Sequence, residues 1–380
     1  MIDDKFAYNR NKNIEMSQQK KKARLIAYYL PQFHPIPEND AQWGKGFTEW
    51  TNIGRAKPLY KGHYQPFLPT ELGYYDLRLA EVRKAQADLA RESGIEGFCY
   101  WHYWFGGKRL LEMPFDEVVK SAEPDFPFCL CWANHSWSAI WVGDAKKIII
   151  EQTYPGIEDY EKHFYELLPA FKDERYIKIN GKLVFSVFQP KAITDCYEFV
   201  KTWRSLATKE DLGEFHFIGM GVKEDELADL GLDACTPHTP HVLISQLPIK
   251  WKDKITYRLF NKSYIHYKAG LLKKPRVYDY EDIVEVAETQ NYTAKEYPVA
   301  IPNWDHSPRS GYRGFVFQNS SPSLFGRMLR YCIDAVANRP AQERVVFLKA
   351  WNEWAEGNFL EPEAKYGRGY LDVTKKENQP

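Results

Sequence analysis

A chain of 380 residues in which 51 Lys and Arg balance 51 Asp and Glu has no formal net charge, which argues against a nucleic-acid partner or an anionic membrane surface. The length allows one large domain or two ordinary ones, with ample core either way. Its 12 Trp, 25 Tyr and 22 Phe exceed what a core needs, and many stand beside polar residues, as in clefts where an aromatic face packs on the C–H face of a sugar ring.

Residues 1–23 form a polar arm with Lys20, Lys21 and Lys22 and no apolar run, so neither a signal peptide nor a membrane span is read there. Cys99, Cys129 and Cys131 lie inside apolar strand-like runs, where a free thiol is a small hydrophobe. With Cys196, Cys235 and Cys332 they do not make a disulfide framework. A reduced, cytoplasmic setting is expected, and a periplasmic one follows only if a leader was removed.

Arg24 to Leu30 is a short apolar run stopped by Pro31, a first strand. The stretch from Gln32 to Trp50 is too rich in Pro, Gly and Asn for regular structure, yet carries Trp43, Glu49 and Trp50, so it reads as a binding wall. Apolar spacing over residues 76–93, ending at Gly94, predicts an amphipathic helix. Strands follow at 97–104 and 128–134, with a short helix at 115–121 between them. Helices are predicted at 158–171 and 195–207, and strands at 183–188, 215–220, 233–236, 299–303 and 345–350.

Eight strands alternating with helical or long connections, and no low-complexity linker, predict a single (β/α)₈ TIM barrel over 24–380 with long active-face loops and an insertion at about 241–297. A doubly wound open sheet shows similar alternation. The barrel is preferred because polar groups close strand after strand: Tyr28 and Tyr29, His102 and Tyr103, Asn134 and His135, Gln189, Asn303 with Asp305, and Glu353. Only a barrel brings so many strand ends to one cavity.

The run Arg344-Val-Val-Phe-Leu-Lys-Ala-Trp-Asn-Glu-Trp-Ala-Glu-Gly-Asn358 drives a buried strand into two carboxylates, Glu353 and Glu356, flanked by Trp351 and Trp354. Three residues apart in a helical turn, both can face one bound atom. A Glu pair at this spacing is more often a solvated helix face, but its place at the end of a barrel strand is where active faces are built. Cleaving a glycosidic bond needs such a pair, one proton donor and one base or nucleophile within roughly 5–9 Å of each other.

Other chemistries find less support. His238 and His241, and Cys129 with Cys131, have no zinc-type spacing, and Pro240 breaks the face a His pair would need, so no metal and no cofactor are expected. No Gly-rich phosphate cradle follows a strand, and Ser136 and Ser186 lack a Gly-x-Ser-x-Gly elbow. Asp305 and Arg309 either pair with each other or border Glu353 on an ordered loop.

Six motifs in order, Tyr28 to Asn39, Trp43 to Trp50, Gly97 to Phe105, Cys131-Trp-Ala-Asn134, Asn303 to Arg309 and Trp351-Asn-Glu-Trp-Ala-Glu-Gly357, resemble the WbsX-like proteins of bacterial O-antigen loci over about residues 24–370. That group is often labelled as glycosyltransferases but is similar to the glycoside hydrolase family 99 endo-α-mannosidases and endo-α-mannanases. The resemblance implies a retaining glycoside hydrolase with Glu353 as base on a sugar 2-hydroxyl, a 1,2-anhydro sugar intermediate, and Glu356 as acid with a raised pKa. The substrate implied is an α-linked polysaccharide or O-antigen-like glycan of mannose or rhamnose type.

The residues expected around that substrate are Tyr29, His34, Trp50, Tyr100, His102, Asn134, His135, Asn303, Asp305, Arg309, Trp351 and Trp354. His135 stands where the WbsX-like pattern usually has an acid, and the basic 241–297 insertion, Lys250–Lys254 and Lys268–Lys274, has no counterpart. Alternatives are a glycosyltransferase or transglycosylase of surface-polysaccharide assembly and a non-catalytic glycan-binding barrel. Oligomeric state, linkage and endo or exo action are not set by the sequence.

Overall fold

The computed structural model describes residues 21–139, 144–248 and 273–380. Among these, eight parallel strands run through one sheet: β1 Arg24–Tyr29, β2 Gly97–Trp104, β3 Phe128–Trp132, β4 Lys182–Val187, β5 Phe215–Met220, β6 Ala234–Thr236, β7 Val299–Ala300 and β8 Val345–Leu348. Their spatial order is β6-β5-β4-β3-β2-β1-β8-β7, with every neighbouring pair parallel. Cys235 on β6 bridges in parallel to Glu296, just ahead of β7, which brings the sheet round into a nearly closed barrel.

Helices cover the barrel as the apolar spacing requires. α1 Pro37–Trp43 and α2 Glu49–Arg55 lie in the first active-face connection. α3 Ala80–Glu92 ends that same connection, and α4 Met113–Ser121, α5 Ile157–Phe171 and α6 Cys196–Lys209 follow β2, β3 and β4. α3 starts later than the spacing predicts because Asp76 turns the chain by accepting from the backbone of Arg78 at 2.9 Å. The expectation of irregular chain from Gln32 to Trp50 is corrected by α1 and α2. Pro37 opens α1 with its fixed φ, and Thr48 closes a capping box with Thr51 at the start of α2.

Part of the 241–297 segment is regular: a short helix His241–Gln246, a strand Arg276–Asp279 paired in parallel with Phe315–Gln318, and a helix Tyr280–Ala287. Lys250–Lys254 and Lys268 lie outside the described residues. A long amphipathic helix, Pro322–Val336, precedes β8 and buries Phe325, Met328, Leu329, Cys332, Ile333 and Val336.

All six cysteines are free and buried. No helix among the described residues is long and apolar enough to cross a membrane. The barrel strands are buried on both faces, one toward the barrel interior and one under the helices.

Candidate active site

β8 ends at Leu348, and the chain then delivers Lys349, Glu353 and Glu356 to the wall of a cavity of about 340 Å³. A single turn, Trp354–Glu356, carries Glu356 and is ended by Gly357 at φ +56°. Trp101 and Tyr103 from β2, His135 and Trp137 beyond β3, Phe188 beyond β4, and Gln32, Asn39 and Trp43 from the first connection complete most of that wall.

Arg309 organises the floor. It lies in a turn of helix, Ser307–Ser310, and its guanidinium reaches Glu49 at 3.1 Å, Glu353 at 3.1 Å and Glu356 at 2.5 Å. A planar fork with five N–H groups can hold several carboxylates at once, which an ammonium cannot do in a fixed geometry. Of the two readings of Arg309, the pairing with Asp305 is therefore set aside. Asp305 instead accepts from Gln65 Nε2 at 2.6 Å and bonds His63 Nε2 at 2.7 Å. The Leu59 backbone N–H donates to His63 Nδ1 at 3.0 Å, so Nε2 carries the proton and points it at Asp305.

Three carboxylates on one guanidinium cannot all ionise easily in a buried site. Burial, and then the charge of Glu356, push Glu353 up to about 7. Burial also raises Glu49. For Glu356 burial acts in the same direction, but Arg309, then His306, Lys349 and His241, outweigh it and hold the carboxyl below its ordinary range. The raised pKa expected of Glu356 is thus found on Glu353. Arg309 decides this by making its shortest bond to Glu356, with His306 Nε2 a further 3.6 Å away.

Of the residues predicted to surround the substrate, His135 and Arg309 line the cavity beside Glu353 and Glu356. The others face elsewhere. Tyr29 turns outward and donates to Gln86 of α3 at 2.7 Å, Tyr100 packs on Phe115 of α4, and His102 meets His163 of α5 at 2.7 Å between Nε2 atoms. Their strand neighbours Tyr28 and Trp101 face inward and stack at 5.0 Å. The prediction chose the wrong side of both strands, and one residue of phase is all that separates the two faces.

Trp50 donates to the Tyr75 carbonyl at 2.7 Å and packs on Trp354, while Trp354 donates to Glu361 at 2.6 Å and stacks on Phe359. Trp351 is fully buried against Phe98, and His34 is buried near Asp76. These residues support the site from behind instead of lining it. Asn134 ties two connections together, accepting from the Gln189 backbone at 2.7 Å and donating to its carbonyl at 2.8 Å. Asn303 and Asp305 border a separate, smaller cavity of about 110 Å³ with His63 and Tyr370.

Sequence reasoning left Glu49 and Lys349 out of the site, and placed Tyr103 among the strand ends that meet at the cavity without counting it as a substrate contact. Glu49 was noticed in an aromatic loop but nothing local connects it to Arg309, which is 260 positions away. Lys349 had a signal, since it sits four residues before Glu353 in the same strand exit.

A parallel barrel with a buried carboxylate pair and an aromatic-walled cavity at its C-terminal face is the architecture of many glycan-active enzymes. The chain belongs to the WbsX family: the family model described as "Glycosyltransferase WbsX" matches residues 25–374. Two curated relatives from Xanthomonas campestris pv. campestris, strains B100 and ATCC 33913, each named "Uncharacterized protein WxcX", are 36% identical over 358 residues, covering 93% of this chain and 49% of theirs. The chain thus spans about half the length of the curated relatives it matches.

Among solved structures, a "Glycoside hydrolase-like protein" superposes with a TM-score of 0.56 at 15% identity, covering 94% of both chains. The GH99 endo-alpha-mannosidase from Bacteroides thetaiotaomicron superposes with a TM-score of 0.53 at 14% identity, covering 93% of this chain and 96% of that one. This chain therefore shares their barrel fold.

Proposed function

We propose that the protein is a retaining glycoside hydrolase acting on an α-linked polysaccharide or O-antigen-like glycan of mannose or rhamnose type. The observation that carries this reading is the convergence of Glu49, Glu353 and Glu356 on Arg309 in the wall of an aromatic-lined cavity. The likeness in fold to glycoside hydrolases supports it.

In this reading Glu353 and Glu356 share the work. Glu353 takes the proton of the sugar 2-hydroxyl as that oxygen closes on its own anomeric carbon, and Glu356 gives a proton to the leaving oxygen, then activates water. In the free site Glu353 is the carboxyl pushed up and Glu356 the one held low, so the productive form, with Glu353 ionised and the proton on Glu356, is the minor arrangement there. A substrate oxygen that takes the place of Arg309 on Glu356 raises that carboxyl and favours this form. Trp101 and Tyr103 offer the faces on which the sugar packs.

The test is digestion of a panel of α-linked bacterial polysaccharides and α-mannans, with the anomeric configuration of the first product followed by NMR. Retention of configuration, lost with Glu353→Gln and with Glu356→Gln, is expected. Unaltered turnover in either variant overturns the reading. Transfer to a surface-polysaccharide acceptor is the second reading, favoured by the printed description of the family. Products that appear only when an acceptor sugar is added would establish it. If oligosaccharide binds equally well before and after both glutamates are changed, and is never cleaved, the barrel is a glycan-binding one.

A further inference from the structure

The cavity that holds the carboxylates also holds a buried cation whose hydrogen-bonding capacity is mostly unspent. Lys349 is 6% exposed, and its Nζ makes one long hydrogen bond, 3.4 Å to the Thr239 carbonyl. It lies over the rings of Trp101 at 5.8 Å and Trp304 at 5.5 Å. Among the described residues it has no ion pair, whereas the buried cations Arg24 and Arg175 each hold a carboxylate at 2.6 Å and Arg309 holds three. An ammonium has three N–H donors, and burying it with only one long hydrogen bond is unfavourable.

A second unspent group stands on the same wall. His135 Nδ1 is buried and has no hydrogen-bond partner among the described residues, and its ring packs on Phe188 at 5.3 Å. The ring of His238 also packs on Phe188, at 5.3 Å, and stacks on His241. Burial first, with Lys349 next, pushes His238 down to about 4, so these imidazoles are neutral, and in the free site the charges that Lys349 feels are those of Glu356 and Glu353, with which it forms no ion pair. The aromatic ring of Trp101 lies beneath the ammonium and faces the cavity.

We propose that this part of the cavity is a subsite for an anionic substituent on the sugar, a carboxylate of the uronic acid kind, received by Lys349 Nζ with His135 Nδ1 as a second donor while the sugar ring rests on Trp101. A charge-assisted pair in a site shielded from water gives both affinity and selection against the neutral sugar, whose hydroxyl offers the ammonium no charge in direct contact. A sugar phosphate presents the same chemistry to the ammonium. The subsite rests on the reading of the cavity as a sugar site, and its readout is binding, so that it can fail while hydrolysis stands.

The experiment is isothermal titration calorimetry of the whole chain with a methyl hexuronoside, the neutral methyl hexoside of the same configuration, and the hexose 6-phosphate. The uronoside is expected to bind roughly ten-fold tighter than its neutral parent, and the preference to shrink between 50 and 500 mM salt. Lys349→Met should abolish the preference, Lys349→Arg should keep most of it, and His135→Phe should reduce it several-fold.

A preference for the phosphate over the carboxylate upholds the subsite and names the other source of the anion. Equal affinity for uronoside and neutral parent in the unaltered protein, which needs no variant to fold, overturns the proposal. A preference unchanged in Lys349→Met overturns it as well. Failure of every sugar to bind overturns both this subsite and the sugar reading of the cavity.

Discussion

Gly357 lies back to back with Asp305: a Cβ built on the glycine would stand 2.6 Å from the Asp305 Cβ and 2.7 Å from its backbone nitrogen. That nitrogen donates to the Glu356 carbonyl at 2.7 Å. The turn carrying Glu356 and the loop carrying Arg309 are therefore fastened through their backbones, and glycine is required both for the space and for φ +56°. Gly357→Ala is expected to lower turnover at least ten-fold and to destabilise the fold by about 1–3 kcal/mol, because backbone cannot yield as a side chain can. Wild-type kinetics in that variant would show that the two segments are not coupled.

The Asp305 side chain should matter in a different way. It collects the Gln65 amide, the His63 Nε2–H and the Ser307 backbone N–H, all behind Arg309. Asp305→Ala strands those buried donors and is expected to cost about 2–4 kcal/mol by urea denaturation. Because Asp305 acts through the Arg309 loop, Asp305→Asn should lower kcat with little change in KM. A rise in KM alone would place Asp305 in contact with substrate instead.

The pH dependence of kcat/KM follows from the proton on Glu353. With Glu353 as base and Glu356 as acid, the working form carries the proton on the carboxyl that holds it less tightly, so kcat/KM, which reports the free site, should be flat just below about 7 and fall as pH rises through it. Glu49→Gln removes one of the negative charges that push Glu353 up, so this limb should move to lower pH. A limb that stays where it is in Glu49→Gln would mean that a group other than Glu353 carries this titration.

Glu361 gives a stability counterpart outside the cavity. Burial pushes it up to about 7 from an ordinary 4.5, although Trp354, Gln86 and Tyr75 all donate to it. Between those two values the folded chain keeps a proton that the unfolded chain releases. The raised carboxyl therefore favours folding most below about 4.5, and stability falls as pH rises through about 7, by on the order of 3 kcal/mol. Thermal denaturation from pH 5 to 8 should show this loss, and Glu361→Gln should flatten it. An unchanged slope would mean that another group carries the titration.

Much of the fold was readable because barrel strands are continuous apolar runs, and the stretch from Val345 to Asn358 was readable because it leaves a strand straight into two acids. The side of a strand was not. Gly97–Trp104 is buried along its whole length, so no alternation marks Trp101 and Tyr103 as inward and Tyr100 and His102 as outward. Glu49 was hidden for another reason: its partner is distant in sequence, and a loop carboxylate carries no periodic signal. The contrast makes its own prediction. Trp101→Ala should raise KM by roughly ten-fold or more through lost stacking, whereas His102→Ala should reduce stability and leave KM unchanged.

Arg309 offers the strongest test of the site as a unit. Burial works against the charge of its guanidinium, but Glu49, Glu356 and Glu353 outweigh it and raise the pKa, so it stays charged at any working pH. Arg309→Met leaves three buried carboxylates without that counter-charge. Removing one partner of a buried ion pair typically costs about 3–5 kcal/mol, since the remaining charge is desolvated with nothing to offset it. Arg309→Lys should rescue little, because a point charge cannot hold three carboxylates in the geometry of a planar fork. The informative variant is Arg309→Met combined with Glu49→Gln. If the carboxylates repel one another through the missing cation, the second change should restore about 1–2 kcal/mol while activity stays absent. Additive losses in that double-mutant cycle would mean that Glu49 and Arg309 do not act together, and the three-carboxylate description of the floor would fail.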